Sequence, residues 1–293
     1  MKFNKSEAMI NELKVRFDIP KDGISMLDGC ILVLGNPVRD KTYSYPFSTD
    51  CVCAVVVRQG SMQCRIDLEN CSTSTTGIFI ILPTQVVENL TFSEDFQGDV
   101  IVFSRTFIES LALSDSLGRL LSVKDSPFSQ VEGQSFDSLM NYVRMIRNTI
   151  EAKGHPYREE VVRLLTKAFC LGLGYYIHPV RQEESTGRAK EITREFISLV
   201  KRNCMQEREL GFYADKLFIS VKHLSAMVKR STGKSPSKWV EDYTILKAKQ
   251  LLSTTKESIL SISETLSFKS QSDFGKYFKQ HTGLTPLEFR SSI

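Results

Sequence analysis

Fifty residues apart, near its C-terminal end, the chain repeats one set of side chains. The first copy reads Ser220, Leu224, Val228, Lys229, Thr232, Gly233, Pro236 and Trp239; the second reads Ser270, Phe274, Phe278, Lys279, Thr282, Gly283, Pro286 and Phe289. In each copy polar and cationic residues flank an apolar stripe. Lys222, Ser225, Ala226 and Lys229 surround Leu224, Met227 and Val228, while Gln271, Ser272, Gly275, Lys276 and Lys279 surround Phe274, Tyr277 and Phe278. Ammonium and amide groups presented this way are hydrogen-bond donors for an anionic ligand. A repeat of this length means one supersecondary unit used twice.

The elements that would position these donors follow from local rules. Tyr213, Ala214 and Leu217 give a short apolar helical face, and Ser220 can cap a second helix whose stripe falls at i, i+3 and i+4. Gly233 can take the positive φ that ends it, and Ser235-Pro236 restarts a helix with its cap and first-turn proline. The second copy follows the same plan from Ile262, Ser263 and Leu266. Ser270-Gln271-Ser272-Asp273 has capping-box spacing, and Gly283 and Thr285-Pro286 supply the stop and restart. Its turn is one residue longer than the first. Each copy thus reads as a helix-turn-helix. Between them Trp239, Val240, Tyr243, Leu246 and Leu251 mark an amphipathic helix from Pro236 to about Leu252, roughly 25 Å long at 1.5 Å per residue. Such a rod can hold two recognition helices about one DNA turn apart, on the order of 34 Å. A single copy would read equally well as part of a ligand-free helical bundle; two in register favour DNA.

Charge points the same way. From Gly187 to the end there are 19 basic and 11 acidic residues, against 19 basic and 23 acidic before it, an asymmetry hidden by the whole-chain balance of +4. Lys and Arg neutralising phosphates supply most non-specific DNA affinity.

From about Arg194 to Phe289 the sequence resembles the DNA-binding domain of AraC-type transcriptional regulators. The resemblance rests on Tyr213-Ala214-Asp215-Lys216-Leu217, Thr232-Gly233-Lys234-Ser235-Pro236 and Lys247-Ala248-Lys249-Gln250-Leu251-Leu252. Most specific is the string from Ser272-Asp273-Phe274-Gly275-Lys276-Tyr277-Phe278-Lys279 through Gly283-Leu284-Thr285-Pro286 to Arg290. The resemblance implies base-reading positions at Lys222, Ser225 and Ala226 on the first recognition helix and at Gln271, Ser272 and Lys276 on the second. Lys can donate to guanine and Gln can pair with adenine, whereas Ala226 offers only a methyl contact, so the first helix is expected to read fewer bases. Lys229, Arg230 and Lys279 are expected on phosphates, and His223 in packing or on a phosphate. One position departs from the family: Leu266-Ser267-Phe268 stands where Leu-Gly-Phe is usual, and serine takes a left-handed turn conformation less readily than glycine.

The rest of the 293-residue chain reads differently. Between about Gly23 and Phe107, Cys30–Leu34, Val52–Val57, Ser61–Asp67, Gly77–Pro83 and Asp99–Phe103 read as short strands, with Gln59-Gly60 as a turn. Such a series suggests a barrel or jelly roll and resembles the cupin-like sensory domain of AraC-type regulators. Tyr43, Tyr45, Phe47, Phe79, Phe92 and Phe103 are core or pocket lining, with core the simpler reading. Two helices follow. One carries Phe136, Leu139, Tyr142, Val143, Ile146 and Ile150; the other carries Val161, Val162, Leu164, Leu165, Ala168, Phe169 and Leu171. The resemblance implies dimerisation for these helices; packing on the barrel itself is the alternative reading, of equal weight. The expected class is α+β: a barrel with helices over 1–133, a helical dimerisation segment over 134–178, a linker over 179–188 and an all-α double helix-turn-helix domain over 189–293.

Other chemistries find little support. The histidines are His155, His178, His223 and His281, none of them in the barrel, so no metal or cofactor is expected there. The cysteines at 30, 51, 53, 64, 71, 170 and 204 read by default as buried thiols of a reducing cytosol, with a redox sensor second and a zinc site last, since Cys51 and Cys53 have no matching second pair. No apolar run approaches a membrane span, and neither an anchor nor a leader is indicated. The expectation is a cytoplasmic regulator, an activator by family tendency. Its partners would be promoter DNA, RNA polymerase, a second copy of itself and a small effector. The alternatives are a cupin-like enzyme and an interaction adaptor with a helical C-terminal domain.

Overall fold

The computed structural model describes residues 24–27, 31–35, 45–48, 51–83, 85–111, 113, 127–177 and 187–293. It divides into two compact units, one carrying the strands apart from Phe47 and Glu69, and the other built mainly from Arg181–Ile293.

The strands of the first unit are β1 (Ile24–Leu27), β2 (Ile31–Gly35), β3 (Phe47–Ser48), β4 (Cys51–Gln59), β5 (Met62–Ile66), β6 (Glu69–Thr73), β7 (Gly77–Ile81), β8 (Val86–Phe92), β9 (Gln97–Ser104) and β10 (Phe128–Gln130). They form a six-stranded sheet in the order β1-β2-β9-β4-β7-β10 and a four-stranded sheet in the order β3-β8-β5-β6. The expected barrel therefore takes its two-sheet, jelly-roll form. Neighbouring strands run antiparallel, with Val55 of β4 opposite both Phe79 of β7 and Val100 of β9. The apolar run in β4 reflects this central place: Ala54 and Val56 face one way, Val55 and Val57 the other, and all four are buried. Gly60, at φ +76°, turns β4 into β5 where a Cβ would collide with the Phe96 backbone.

Three helices complete this unit: α1 (Arg105–Ser110), α2 (Gly133–Glu151) and α3 (Arg158–Ile177). Leu139, Val143, Ile146 and Ile150 of α2 share one core with Ala54, Val56, Ile78, Ile80, Ile101 and Phe103 of the large sheet. Val162, Phe169 and Leu173 of α3 join them. Helix α2 thus packs on the sheet. The denser stripe expected for α3 is split, because Leu164 and Leu171 are exposed. Of the aromatic candidates, Phe47, Phe79 and Phe103 are buried, Phe92 is half-buried against Phe96, and Tyr45 is exposed. Tyr43, Cys30, His178 and most of the 179–188 stretch lie outside the described residues.

The second unit is helical: α4 (Arg188–Asn203), α5 (Leu210–Lys216), α6 (Val221–Thr232), α7 (Pro236–Thr254), α8 (Ile259–Thr265), α9 (Gln271–Thr282) and α10 (Pro286–Ser291). Helix α4 buries Ile192, Phe196 and Val200 at four-residue spacing and packs on α6 and α7. Phe274 and Phe278 of α9 meet Ile262 and Leu266, Ile245, Ala248 and Leu252 of α7, and Phe289 of α10 in a second cluster. Helix α7 therefore touches both repeats and joins them.

Candidate nucleic-acid interface

The two repeats fold as α5-turn-α6 and α8-turn-α9. Ser220 and Ser270 cap the second helix of each, their Oγ atoms accepting from the amides of His223 (3.2 Å) and Asp273 (3.1 Å). Both helices run twelve residues and stop at a left-handed glycine, Gly233 at φ +72° and Gly283 at φ +80°. Their exposure patterns coincide position by position. In α6 Leu224 and Val228 are fully buried, Ser225 and Met227 are half-buried and the rest of 221–230 is exposed. In α9 Phe274 and Phe278 are fully buried, Gly275 and Tyr277 are half-buried and the rest of 271–280 is exposed.

The structure thus places Lys222, Ala226, Lys229 and Arg230 on the exposed side of α6, with half-buried Ser225 beside them. It places Gln271, Ser272, Lys276 and Lys279 on the exposed side of α9. His223 is exposed too, so the packing role weighed for it does not apply. Some of the basic charge of this unit is ion-paired within it. Lys238 reaches Asp242 at 3.0 Å and Glu241 at 3.4 Å, and Lys234 pairs with Asp242 while lying 4.4 Å over the Trp239 ring. The hydrogen bond that Lys238 donates to the Asp242 carboxylate holds its ammonium above its ordinary pKa. These two lysines brace the start of α7.

The capping box expected at Ser270–Asp273 is not formed. The Asp273 carboxylate accepts from the Ser270 hydroxyl at 2.8 Å, as its side chain is one methylene shorter than that of Glu. The reciprocal box lies instead at Thr285 and Glu288, where Thr285 N–H donates to the carboxylate at 2.7 Å and holds its pKa below the ordinary value. Arg290 of α10 then donates to the carbonyls of Leu252 (3.3 Å) and Glu257 (2.6 Å), tying α10 to the end of α7.

The second turn is one residue longer than the first, but both open with the same backbone. Phe218 N–H donates to Asp215 and Ile219 N–H to Ala214; Ser267 N–H donates to Glu264 and Phe268 N–H to Ser263. This is the Schellman arrangement, and it puts a left-handed residue after each helix. Neither is glycine: Phe218 sits at φ +55° and Ser267 at φ +53°. Sequence reading missed what holds the second turn. Arg208, in the connection before α5, donates to the carbonyls of Leu266 and Ser267, each at 2.6 Å, and stacks 4.2 Å over the Phe268 ring. Fifty-eight residues separate Arg208 from Leu266, so no local pattern announces the contact.

Among the described residues no cluster of His, Cys, Asp and Glu has metal-site geometry, and no helix is long and apolar enough to cross a membrane.

Comparison with known proteins bears on this module. A helix-turn-helix domain family matches residues 213–292. The arabinose operon regulatory protein of Escherichia coli is 35% identical over 83 residues, which cover 28% of each chain. The helix-turn-helix transcriptional regulator YobQ of Bacillus subtilis is 24% identical over 144 residues, 49% of this chain and 59% of its own. The chain thus spans less than two thirds of the length of these relatives. Among solved structures, the C-terminal domain of AraT from Geobacillus stearothermophilus aligns at 27% identity with a TM-score of 0.35, covering 36% of this chain and 89% of that domain. ToxT of Vibrio cholerae aligns at 16% identity with a TM-score of 0.43 over 90% of this chain and 99% of its own. The C-terminal unit is a double helix-turn-helix module. It belongs to the AraC type of DNA-binding domain, the kind carried by transcription regulators.

Proposed function

We propose that the protein regulates transcription by binding promoter DNA sequence-specifically through α6 and α9. The carrying observation is the matched exposure of the two helices, each burying two apolar residues and presenting lysines with short polar side chains outward. Lys222, Ser225 and Ala226, then Gln271, Ser272 and Lys276, read base edges. Lys229, Arg230 and Lys279 hold phosphates. Helix α7, in contact with both repeats, sets their spacing along one face of the duplex.

The strand-bearing unit serves association and effector sensing. Support for association comes from α3. Tyr157, Leu164 and Leu171 are exposed, and half-buried Val161 and Ala168 fall between them at alternating four- and three-residue spacing. That is the seam of a two-stranded coiled coil, and a second copy of α3 is the partner it fits. Contact of the bound dimer with RNA polymerase would make the protein an activator. Leu164→Glu with Leu171→Glu should convert dimer to monomer in sedimentation without unfolding the protein; an unchanged mass would remove α3 from the interface.

The central test is a titration of a labelled fragment from upstream of the protein's own gene at two salt concentrations. Binding should weaken steeply with salt, and random DNA of equal length should bind more weakly at both. A fragment from Gly187 to Ile293 should retain the binding. No binding by the folded full-length protein or the fragment at low salt would overturn the reading.

A further inference from the structure

The hairpin β5–β6 carries an arrangement that DNA binding does not use. Ile66 ends β5 and Glu69 begins β6, leaving Asp67 and Leu68 as a two-residue turn. Both are left-handed, at φ +47° and +75°, the primed turn that matches strand twist. A two-residue turn fixes the register, so Arg65 opposes Asn70 and Cys64 opposes Cys71. Directly opposed antiparallel residues have Cα atoms about 4.5–5.5 Å apart. A disulfide spans about 4.4–6.8 Å. The two thiols are within hydrogen-bonding reach of each other.

Their surroundings differ in a way that assigns roles. Strand β6 is the edge of the four-stranded sheet, and Cys71 on it is half-exposed. Cys64 lies one strand further in and is buried. On the far side of β5 the pairing with β8 slips at this residue: Gln63 opposes Thr91 but Arg65 opposes Glu88, so Cys64 faces two residues rather than one. Such bulges loosen a ladder locally and let a side chain shift.

We propose that Cys64 and Cys71 form a peroxide-reactive pair that closes to a cross-strand disulfide. The Cys71 thiolate attacks one oxygen of hydrogen peroxide. The O–O bond breaks, hydroxide leaves and takes up a proton as water, and Cys71 becomes a sulfenic acid. Cys64 then attacks the Cys71 sulfur, the S–O bond breaks, and the Cys64 proton leaves with hydroxide as a second water. Two thiols are oxidised and one peroxide is reduced to two waters. Hydrogen bonding with Cys71 and burial keep Cys64 protonated at rest, which suits it to resolve rather than to start the reaction. Cys53, Cys170 and Cys204 are buried with thiols raised by desolvation, and are expected to stay reduced under the same exposure.

The test uses the full-length reduced protein and dilute hydrogen peroxide, read by thiol labelling and peptide mapping, so its outcome is independent of DNA binding. Two labelling sites should disappear together, a Cys64–Cys71 linked peptide should appear, and dithiothreitol should reverse both. In Cys64→Ser, Cys71 should accumulate as a sulfenic acid trapped by dimedone, several-fold above the unmutated chain. A linkage between other cysteines, oxidation of Cys71 straight to sulfinic acid in the unmutated chain, or no dimedone adduct in Cys64→Ser would each overturn the proposal.

Discussion

The two helix-turn-helix units are the same device built with different side chains. Caps, helix lengths, terminal glycines and exposure patterns coincide between α6 and α9. What differs is the filling. The first stripe is aliphatic, Leu224 and Val228, backed by α4. The second is aromatic, Phe274 and Phe278, stacked through Phe268, Tyr277 and Phe289. Helix α4 comes before the first repeat and supplies Phe196 and Val200. Among the described residues no further helix performs that service for the second repeat, whose larger rings and α10 close the core instead. Identical presentation of a surface thus needs only that two positions per helix be buried, and several chemistries can bury them.

Truncating those cores should give the largest effects and separate the units. Phe274→Ala removes a fully buried ring from a cluster with few other elements and should cost about 3–5 kcal/mol; Leu224→Ala should cost about 2–5 kcal/mol. Thermal denaturation should show both losses. If Phe274→Ala proved milder than Leu224→Ala, the aromatic cluster would not be the sole support of the second unit.

The DNA contacts should differ as well. Lys276→Ala should weaken specific binding by about 1–3 kcal/mol, with Lys222→Ala at or below the lower end, because the first helix presents smaller side chains at Ser225 and Ala226. An equal loss on random DNA would turn Lys276 into a phosphate contact. Lys229→Ala and Lys279→Ala should each reduce the salt slope by about one.

Which parts of this were legible in the sequence follows from the range of the interaction. The stripes at 224/228 and 274/278, the serine caps and the glycine stops are decided within one or two turns of helix, and they were readable. Strand β6 was not, because Glu69-Asn70-Cys71-Ser72-Thr73 has no apolar alternation and is an exposed edge. Strand β8 was hidden by its bulge, where Asn89 at φ +52° breaks the two-residue period. The dense stripe of α3 misled in the other direction: helical spacing marks Leu164 and Leu171 as belonging to one face, but spacing alone does not say whether that face meets its own sheet or another molecule. Arg208 was invisible because its partners lie far along the chain.

Arg208 is therefore where the comparison of the two units is sharpest. Arg208→Ala removes two charge-assisted hydrogen bonds and a ring contact from the second turn only, and should cost about 2 kcal/mol of stability. It should also weaken DNA binding, since an unclamped Ser267 turn no longer fixes the entry of α9. Adding Ser267→Gly should restore the binding, because glycine adopts the left-handed conformation unaided. Without rescue, Arg208 would act through something other than the turn.

The smallest effects test strain itself. A left-handed conformation costs a non-glycine residue about 1–2 kcal/mol, while glycine adds unfolded-state entropy worth about 0.4–1 kcal/mol. Ser267→Gly and Phe218→Gly should therefore each stabilise the protein by about 0.5–1 kcal/mol. Phe218 is 95% exposed, so its replacement removes little packing and reports the backbone term almost alone. Only the Ser267 change should rescue Arg208→Ala, since the hydrogen bonds lost with Arg208 are those to the second turn. If Phe218→Gly destabilised the protein instead, its exposed ring would be holding the first turn by a contact that solvent exposure does not reveal, and the two left-handed positions would no longer be equivalent in backbone and different only in their support.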